Sequence, residues 1–208
     1  MPHLSRLANW NGRPRVKSHR RELRRLPGEQ GVWVFVLLDM AFFCVIFASF
    51  VHERAGATDI FFRSQHSLNV HLGLINTVLL LTSSWLVASA TDTAPGRPRR
   101  KIRLLLGIAV LCGAAFAAIK IAEYTVLIRA GFSPVTNGFY MFYFFMTFIH
   151  CVHVLAGMVV LAVVVKKRGG EALLVSERNS LDSAATYWHM VDLLWVMIFP
   201  MLYLVSWR

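Results

Sequence analysis

An acidic residue, Asp39, interrupts the apolar run Leu37–Phe43 near the start of the first long apolar stretch of the sequence. If this stretch crosses a membrane, burying an ionisable group in the lipid costs a free energy of about 2.5–3.5 kcal/mol even on the lenient insertion scale. Asp39 is therefore a candidate functional residue. Two interpretations are compatible with this position. Asp39 can exchange a proton, or it can make a structural hydrogen bond to a neighbouring helix, for example to Asn76 or Thr77.

A basic and an acidic residue lie close together in a third apolar stretch. Lys120 and Glu123 are three residues apart, a spacing at which two side chains of a helix can pair and cancel each other's charge. The spacing therefore favours a structural ion pair. As an alternative, the long side chain of Lys120 can extend outward to the polar boundary of a membrane.

Two histidines lie in the fourth apolar stretch. Tyr143, Met146, His150, His153 and Gly157 follow a heptad-like spacing, which is typical of a helix face packed on another helix. Because residues three apart share one face, the two imidazoles cannot be the opposite axial ligands of a single haem. We expect them to make interhelical hydrogen bonds rather than to bind a metal.

A histidine and an aspartate lie one helical turn apart near the start of the last apolar stretch. In His189 and Asp192 the carboxylate is placed to fix the tautomer or charge of the imidazole. No nucleophile that would indicate hydrolysis accompanies the pair. Aromatic residues at both ends of this stretch fit the aromatic belts of a membrane interface: they are Tyr187, Trp188, Tyr203 and Trp207.

The elements that carry these residues are predicted by five apolar runs, each of about the 20 residues that a membrane-spanning helix needs. The runs cover approximately residues 30–52, 68–90, 102–128, 139–165 and 184–207. Only 16% of the 208 residues are charged, and 56% are hydrophobic. The sequence therefore predicts an all-α membrane bundle of five transmembrane helices over residues 30–208, preceded by a basic tail at residues 1–29.

The basic residues are distributed unevenly along the chain. If the chain crosses the membrane five times, 17 of the 22 Lys and Arg residues fall on one side, in the tail and after the second and fourth spans. The positive-inside rule then predicts a cytoplasmic N-terminus and a C-terminus on the outside. This asymmetry accounts for the net charge of +11 without nucleic acid as a partner. The cysteines show no spacing typical of a metal site.

Several motifs, in order along the chain, resemble those of subunit III of the haem-copper oxidases. The segment Tyr187–Trp195 is similar to the signature Tyr-Trp-His-Phe-Val-Asp-Val-Val-Trp in the last helix of that family. Further similarities are found at Asn76-Thr77, Glu123-Tyr124, Gly138–Tyr140, Phe144-Phe145 and the His150–Gly157 segment. Asp39, which precedes Phe42-Phe43, stands where the family usually has Glu. The resemblance covers about residues 27–208.

The resemblance implies an accessory subunit of the bacterial cytoplasmic membrane, with no catalytic residue, haem or copper of its own. Haem and copper belong to the catalytic subunit beside it, and a phospholipid can occupy a cleft of the accessory subunit. The resemblance gives Asp39 a role in proton uptake. It implies structural or lipid-cleft roles for eight polar residues: Asn76, Thr77, Lys120, Glu123, His150, His153, His189 and Asp192.

Two features point to a branch within that family. The chain has five predicted spans, whereas the longer members have seven, and its opening at Leu26–Trp33 resembles the branch associated with bacterial nitric oxide reductase. The alternative branch is the five-helix subunit III of terminal oxygen reductases, so the partner is either the catalytic oxidase subunit I or the large subunit of nitric oxide reductase.

Two other functions are compatible with the residues. One is a membrane electron carrier with a bis-His haem b, for which His71 would pair with a histidine of the fourth span. The other is a proton-coupled transporter, which only the intramembrane charges Asp39, Lys120 and Glu123 support. Discontinuous helices and paired repeats, which occur in many transporters, are not evident.

Overall fold

The computed structural model describes residues 30–92, 99–166 and 175–204. In this part of the chain the secondary structure is helical throughout, with α1 (Gln30–Gly56), α2 (Thr58–Gln65), α3 (Val70–Thr91), α4 (Arg99–Arg129), α5 (Gly138–Lys166) and α6 (Val175–Phe199), which continues as a π-helical segment, Pro200–Leu204. All of these helices except α2 are long and apolar enough to cross a membrane. The prediction of an all-α bundle with five spans is therefore confirmed. The basic tail and Trp207 lie outside the described residues.

Local sequence signals set where the spans begin and end. Asn69 precedes α3, and its Oδ1 accepts the N–H groups of His71 and Leu72 at 3.0 and 3.3 Å, which satisfies donors that a helix leaves free at its first turn. Gly131 follows α4 with a φ of +87°, a conformation that glycine adopts without steric cost. Proline has no N–H for the helical ladder, and at Pro200 the last helix widens into its π-helical segment.

Helix α6 lies at the centre of the bundle and α1 lies at its edge. In the most apolar window of each helix, 56% of the α6 residues are buried but only 17% of the α1 residues. Two tryptophans of α6, Trp188 and Trp195, are fully buried. At Gly157 of α5, a Cβ atom would lie 2.7 Å from the Trp188 ring, so this glycine allows α5 to approach α6 closely.

The short helix α2 covers one end of the bundle, which we call the α2 end. The amide of Asn137, at the start of α5, donates to the hydroxyl of Ser64 in α2 at 2.9 Å. The hydroxyls of Ser67 and Tyr140 are 2.7 Å apart and hydrogen bond. These contacts join α2 to α5, and the C-terminal ends of α1, α4 and α6 lie at the same end as the first turn of α3.

Candidate functional site: polar groups inside the bundle

The largest polar cluster inside the bundle surrounds Lys120 and Glu123 in α4. The Lys120 ammonium donates to Glu123 Oε2 at 2.8 Å and to the hydroxyls of Tyr143 and Tyr203 at 3.2 and 3.0 Å. The hydroxyl of Tyr203 in turn donates to Glu123 Oε1 at 2.7 Å. The predicted ion pair is confirmed, and Lys120 points into the bundle with no exposed surface rather than toward the membrane boundary.

The Lys120–Glu123 cluster is complete as a hydrogen-bonding unit. An ammonium has three donors, and each has an acceptor here, while both carboxylate oxygens of Glu123 accept a hydrogen bond. The rings of Tyr143 and Trp195 lie 4.9 and 5.3 Å from the ammonium, which adds cation–π attraction. Such an arrangement offsets much of the cost of burying the two charges.

Two of the aromatic residues predicted to form a belt at the membrane interface, Trp188 and Tyr203, are instead part of the interior of the bundle. Tyr203 is 3% exposed and Trp188 is fully buried, so both rings pack inside the bundle rather than on its outer surface. The Tyr203 hydroxyl bonds to Glu123, and the Trp188 indole N–H donates to Ser83 Oγ at 3.0 Å. Their polar atoms have partners inside the bundle, which removes the reason for an amphipathic ring to seek the interface. Tyr187 is half-buried and donates to the carbonyl of His153 at 3.2 Å.

Asp39 contacts His153, at the seam between α1 and α5. Its Oδ1 lies 3.1 Å from Nε2 of the imidazole, and the two side chains are 10% and 16% exposed. The hydrogen bond from Asp39 to Asn76 or Thr77 that was considered from the sequence is therefore not the one formed. Thr77 hydrogen bonds instead to the indole N–H of Trp195 at 3.0 Å.

The surroundings of His153 determine how many protons the pair holds. Nδ1 of His153 lies 2.8 Å from the carbonyl oxygen of Ile149, which can only accept, so Nδ1 carries a hydrogen. A neutral imidazole then has a lone pair at Nε2. The contact between Nε2 and Asp39 is a hydrogen bond only if one further proton lies between them, on the carboxyl group or on the imidazole. The geometry is therefore that of a pair in which one proton can be shared between the carboxyl group and the imidazole.

His150 does not form the interhelical hydrogen bond that the sequence predicts. It is fully buried, and neither ring nitrogen has a partner among the described residues. The imidazole stacks on Trp195 with ring centroids 5.2 Å apart and meets the edge of Phe116 at 5.4 Å. Aromatic packing, rather than hydrogen bonding, thus fixes this ring. The prediction that its face of α5 packs on protein is nevertheless confirmed, because Tyr143, Met146 and Gly157 are also buried.

His189 and Asp192 do not form the predicted pair. Nδ1 of His189 lies 2.7 Å from the hydroxyl of Ser84 in α3, and both carboxyl oxygens of Asp192 lack a hydrogen-bond partner among the described residues. Ser84 also lies close to the Asp192 carboxyl group, so both side chains approach this hydroxyl of α3 rather than each other. Asn76 is likewise fully buried, with no described partner for its amide.

The structure also tests the haem and transporter interpretations. His71 is exposed in the first turn of α3, whereas His150 lies about 16 Å farther from the α2 end at helical rise, packed between aromatic rings. The two are not placed to hold one haem. The three charged residues that supported the transporter hypothesis do not form one site. Lys120 and Glu123 pair with each other, and Asp39 contacts His153. Across residues 30–92, 99–166 and 175–204, no group of three or more His, Cys, Asp or Glu is placed to hold a metal ion.

Comparison with known proteins identifies the family. The model of the family described as cytochrome c oxidase subunit III matches residues 25–207. The chain belongs to the cytochrome c oxidase subunit III family. With its five apolar helices and its bacterial relatives, this subunit III is a multi-pass protein of the bacterial inner membrane.

Three curated relatives of this subunit III come from different bacteria. It is 28% identical over 179 residues to the cytochrome bo(3) ubiquinol oxidase subunit 3 of Pseudomonas aeruginosa, covering 85% of this chain and 84% of the relative. Identity is 26% to a probable quinol oxidase subunit 3 of Staphylococcus epidermidis, with 91% and 92% covered. It is also 26% to the cytochrome c oxidase subunit 3 of Corynebacterium diphtheriae, with 85% and 87% covered. The similarity therefore extends over most of each chain.

Some residues of the polar interior are absent from the candidates chosen by sequence. Tyr203 completes the Lys120–Glu123 cluster, and Ser83 and Ser84 hold Trp188 and His189. Hydroxyl groups are common in membrane helices, so their type alone gives no signal. Their proximity to the charged or aromatic partner depends on how α3, α4 and α6 pack.

Proposed function

We propose that this subunit III is an accessory, non-haem subunit that associates with the catalytic haem-copper subunit, stabilises it and supports proton uptake through Asp39 and His153. The names of the relatives support the association, since they are subunits of ubiquinol, quinol and cytochrome c oxidases. The observation that carries the proton role is the contact between Asp39 Oδ1 and His153 Nε2, at 3.1 Å.

The Asp39–His153 pair can take up and release one proton without reorganising its surroundings. His153 is held by its bond to Ile149, so a proton can move between Nε2 and the carboxyl group while both side chains stay in place. When the pair loses that proton, a lone pair on Oδ1 of Asp39 faces the lone pair on Nε2 of His153, and the contact becomes repulsive. The proton is therefore bound in a defined place but can be exchanged with a neighbour.

The location of the pair is suited to exchange with a partner. Asp39 is about 13 Å from the start of α1 at helical rise, and α1 is the least buried span. Both side chains retain some exposed surface. We propose that the catalytic subunit covers this seam and receives the proton there.

The proposal is tested with Asp39→Asn and Asp39→Leu in the assembled complex with its catalytic subunit. Asparagine keeps a hydrogen-bonding group of the same shape but cannot exchange a proton, so we expect normal assembly with weaker proton uptake or shorter sustained turnover. Asp92→Asn is the control, because Asp92 is an exposed carboxylate that follows α3. Wild-type turnover and pH dependence in Asp39→Asn, together with failed assembly in Asp39→Leu, would show a purely structural residue.

A second measurement examines the proton itself. A hydrophobic carbodiimide attacks a protonated carboxyl group in apolar surroundings, so Asp39 should be labelled before Asp92. His153→Phe removes the partner that shares the proton and should change the rate of labelling at Asp39 while the rate at Asp92 stays the same. Equal labelling of both carboxyl groups in the wild-type complex would count against the shared proton.

We also propose that the N-terminus is cytoplasmic and that the α2 end faces outward. The distribution of Lys and Arg supports this orientation. Cysteines introduced at Thr93 and at Gly131 are then labelled from opposite sides of sealed vesicles. Labelling of both positions from one side would overturn the topology.

The electron-transport branch is a separate part of the proposal. The resemblance of Leu26–Trp33 favours a nitric oxide reductase partner in denitrification, whereas the relatives named above are subunits of quinol and cytochrome c oxidases. Genes for nitric oxide reductase next to this one would support the first branch. Genes for oxidase subunits I and II would support terminal oxygen reduction.

A further inference from the structure

Asp39 has a second carboxyl oxygen that its contact with His153 does not use. Oδ1 lies 3.1 Å from Nε2 of His153, whereas Oδ2 is buried and has no hydrogen-bond partner among the described residues. When the pair loses its shared proton, the negative charge spreads over both oxygens. A buried carboxylate oxygen without a donor costs more free energy than the same oxygen in a neutral carboxyl group. A pair that exchanges its proton therefore needs a donor near Oδ2.

The hydroxyl of Tyr187 brings such a donor from α6 to the seam between α1 and α5. It donates to the backbone carbonyl of His153 at 3.2 Å. The Tyr187 ring lies 5.9 Å from the ring of Phe35, which is one helical turn before Asp39 in α1. The hydroxyl is also close enough to Asp39 for an electrostatic interaction between the two. Tyr187 therefore contacts both of the helices that carry the pair.

The hydrogen bond from Tyr187 to the His153 carbonyl is one that the tyrosine can give up. This carbonyl lies within α5, where the N–H of the residue four positions later is its helical partner. A carbonyl has two lone pairs, so the hydroxyl is an additional donor to it. At 3.2 Å the bond is also longer than the range of about 2.5–3.0 Å typical of hydroxyl donors and oxygen acceptors. Its loss leaves no backbone group of α5 without a partner.

Gly157 determines how closely the tyrosine approaches α5. A Cβ atom at this position would lie 3.2 Å from Cε1 of the Tyr187 ring, so the ring packs directly against the backbone. Phe35 of α1 packs against the same ring. The ring is thus held between two helices, and rotation of the hydroxyl about its C–O bond is the movement that it retains.

We propose that Tyr187 is a positioning residue for proton exchange: its hydroxyl bonds to the His153 carbonyl while the pair holds the shared proton, and turns to Oδ2 of Asp39 when that proton leaves. The hydroxyl keeps its own hydrogen throughout, so the only proton transferred is the one that the pair releases. A donor to the charged form of a carboxyl group favours that form. This role rests on the proposed proton exchange at Asp39 and His153.

Other ionisable groups near the pair are engaged elsewhere. On α5, His150 interacts electrostatically with His153 and with Lys120, whose charge is paired within its own buried cluster. On α6, His189 and Asp192 approach a hydroxyl of α3. The charged residues of α2 lie at the opposite end of α1. A change in the protonation of Asp39 after removal of the Tyr187 hydroxyl is therefore assigned to that hydroxyl.

The experiment compares Tyr187→Phe with the wild type in the assembled complex. Phenylalanine keeps the ring at the seam and removes only the hydroxyl. Labelling of Asp39 by a hydrophobic carbodiimide, which attacks the protonated carboxyl group, is measured at acid and at alkaline pH. In the variant the carboxylate has lost its donor, so labelling at alkaline pH should be about threefold to tenfold faster than in the wild type. At acid pH, where the carboxyl group is protonated in both proteins, the two rates should be equal.

The control variant is Tyr140→Phe. Tyr140 is also a buried tyrosine, and its hydroxyl bonds to Ser67 at the α2 end, far from the pair. Labelling of Asp39 in this variant should follow the wild type at both pH values. Infrared spectroscopy provides a second readout, since the carboxyl band that Asp39→Asn removes should persist to higher pH in Tyr187→Phe than in Tyr140→Phe.

The two pH values separate protonation from access of the reagent. If Tyr187→Phe changes labelling by the same factor at both, the hydroxyl only packs at the seam and the proposal is wrong. Wild-type labelling in Tyr187→Phe at alkaline pH, or an equal effect of Tyr140→Phe, would also overturn it. Turnover tests the proposed function separately. Wild-type proton uptake in Asp39→Asn would refute that function, whereas the expected labelling pattern would still support the movement of the Tyr187 hydroxyl.

Discussion

Two ion pairs inside the bundle, Lys120–Glu123 and Asp39–His153, contain similar chemical groups in different surroundings. The first is 0% and 4% exposed and has every donor and acceptor occupied, with hydroxyls supplied by α5 and the end of α6. The second is 10% and 16% exposed at a peripheral helix, and the Oδ2 of Asp39 has no described partner. We call the first pair closed, because its groups all have partners and it stabilises the bundle, and the second pair open, because the proton exchange proposed for it requires a group that is not fully enclosed. The predictions that follow separate these two roles.

The largest effect is expected for Lys120→Met. It removes the cation and leaves the Glu123 carboxylate buried with only the Tyr203 hydroxyl, which should lower the free energy of unfolding by about 3–5 kcal/mol. The matched variant, Lys120→Met with Glu123→Leu, removes both charges and should recover most of that loss. Thermal unfolding in detergent, arranged as a double-mutant cycle, gives the coupling. A double variant less stable than Lys120→Met would contradict the view that the pair acts as a unit.

A smaller effect is expected for Tyr203→Phe. The ring still fills its place, but Glu123 Oε1 loses a 2.7 Å hydrogen bond and Lys120 loses an acceptor. We expect a loss of about 1–3 kcal/mol, the cost of buried polar groups left without partners. The same thermal measurement applies, with Tyr124→Phe as a comparison because Tyr124 bonds to Thr147 outside the ion pair. Identical effects of the two changes would indicate that the charges do not strengthen the Tyr203 bond.

The smallest effect on stability is expected for Asp39→Asn. The amide can donate to Nε2 of His153, so one hydrogen bond replaces another and the free energy of unfolding should change by less than about 1 kcal/mol. Turnover of the assembled complex should nevertheless fall, for the reason given above. A loss of stability as large as that of Lys120→Met would remove the distinction between the closed and the open pair.

The peripheral position of α1 has a physical basis in its surface. Val34, Leu37, Leu38 and Val45 expose between 60% and 67% of their surface, which suits contact with acyl chains or with an apolar partner. In water such a surface would be unfavourable, whereas lipid is as apolar as these side chains. Asp39 is tolerated within the apolar part of α1 because His153 lies opposite it.

Much of the fold follows from the sequence because a membrane restricts what a chain can do. A run of about 20 apolar residues must form a helix, since lipid offers no partner to its backbone groups. For that reason the spans agree with the apolar runs, and the three-residue spacing of Lys120 and Glu123 was enough to predict their pair. Such spacing acts within one helix, whose geometry is known in advance.

Contacts between residues of different helices could not be predicted from local spacing in the same way. The sequence by itself determined the five spans, the Lys120–Glu123 pair and, through its motifs, the subunit III family. Only the tertiary structure decided that Asp39 meets His153, that His189 turns to Ser84 rather than Asp192, and that Tyr203 closes the buried cluster. Each of these contacts depends on the rotation and relative height of two helices. Those are set by the packing of many side chains, such as Trp188 against Gly157, and no local spacing encodes them.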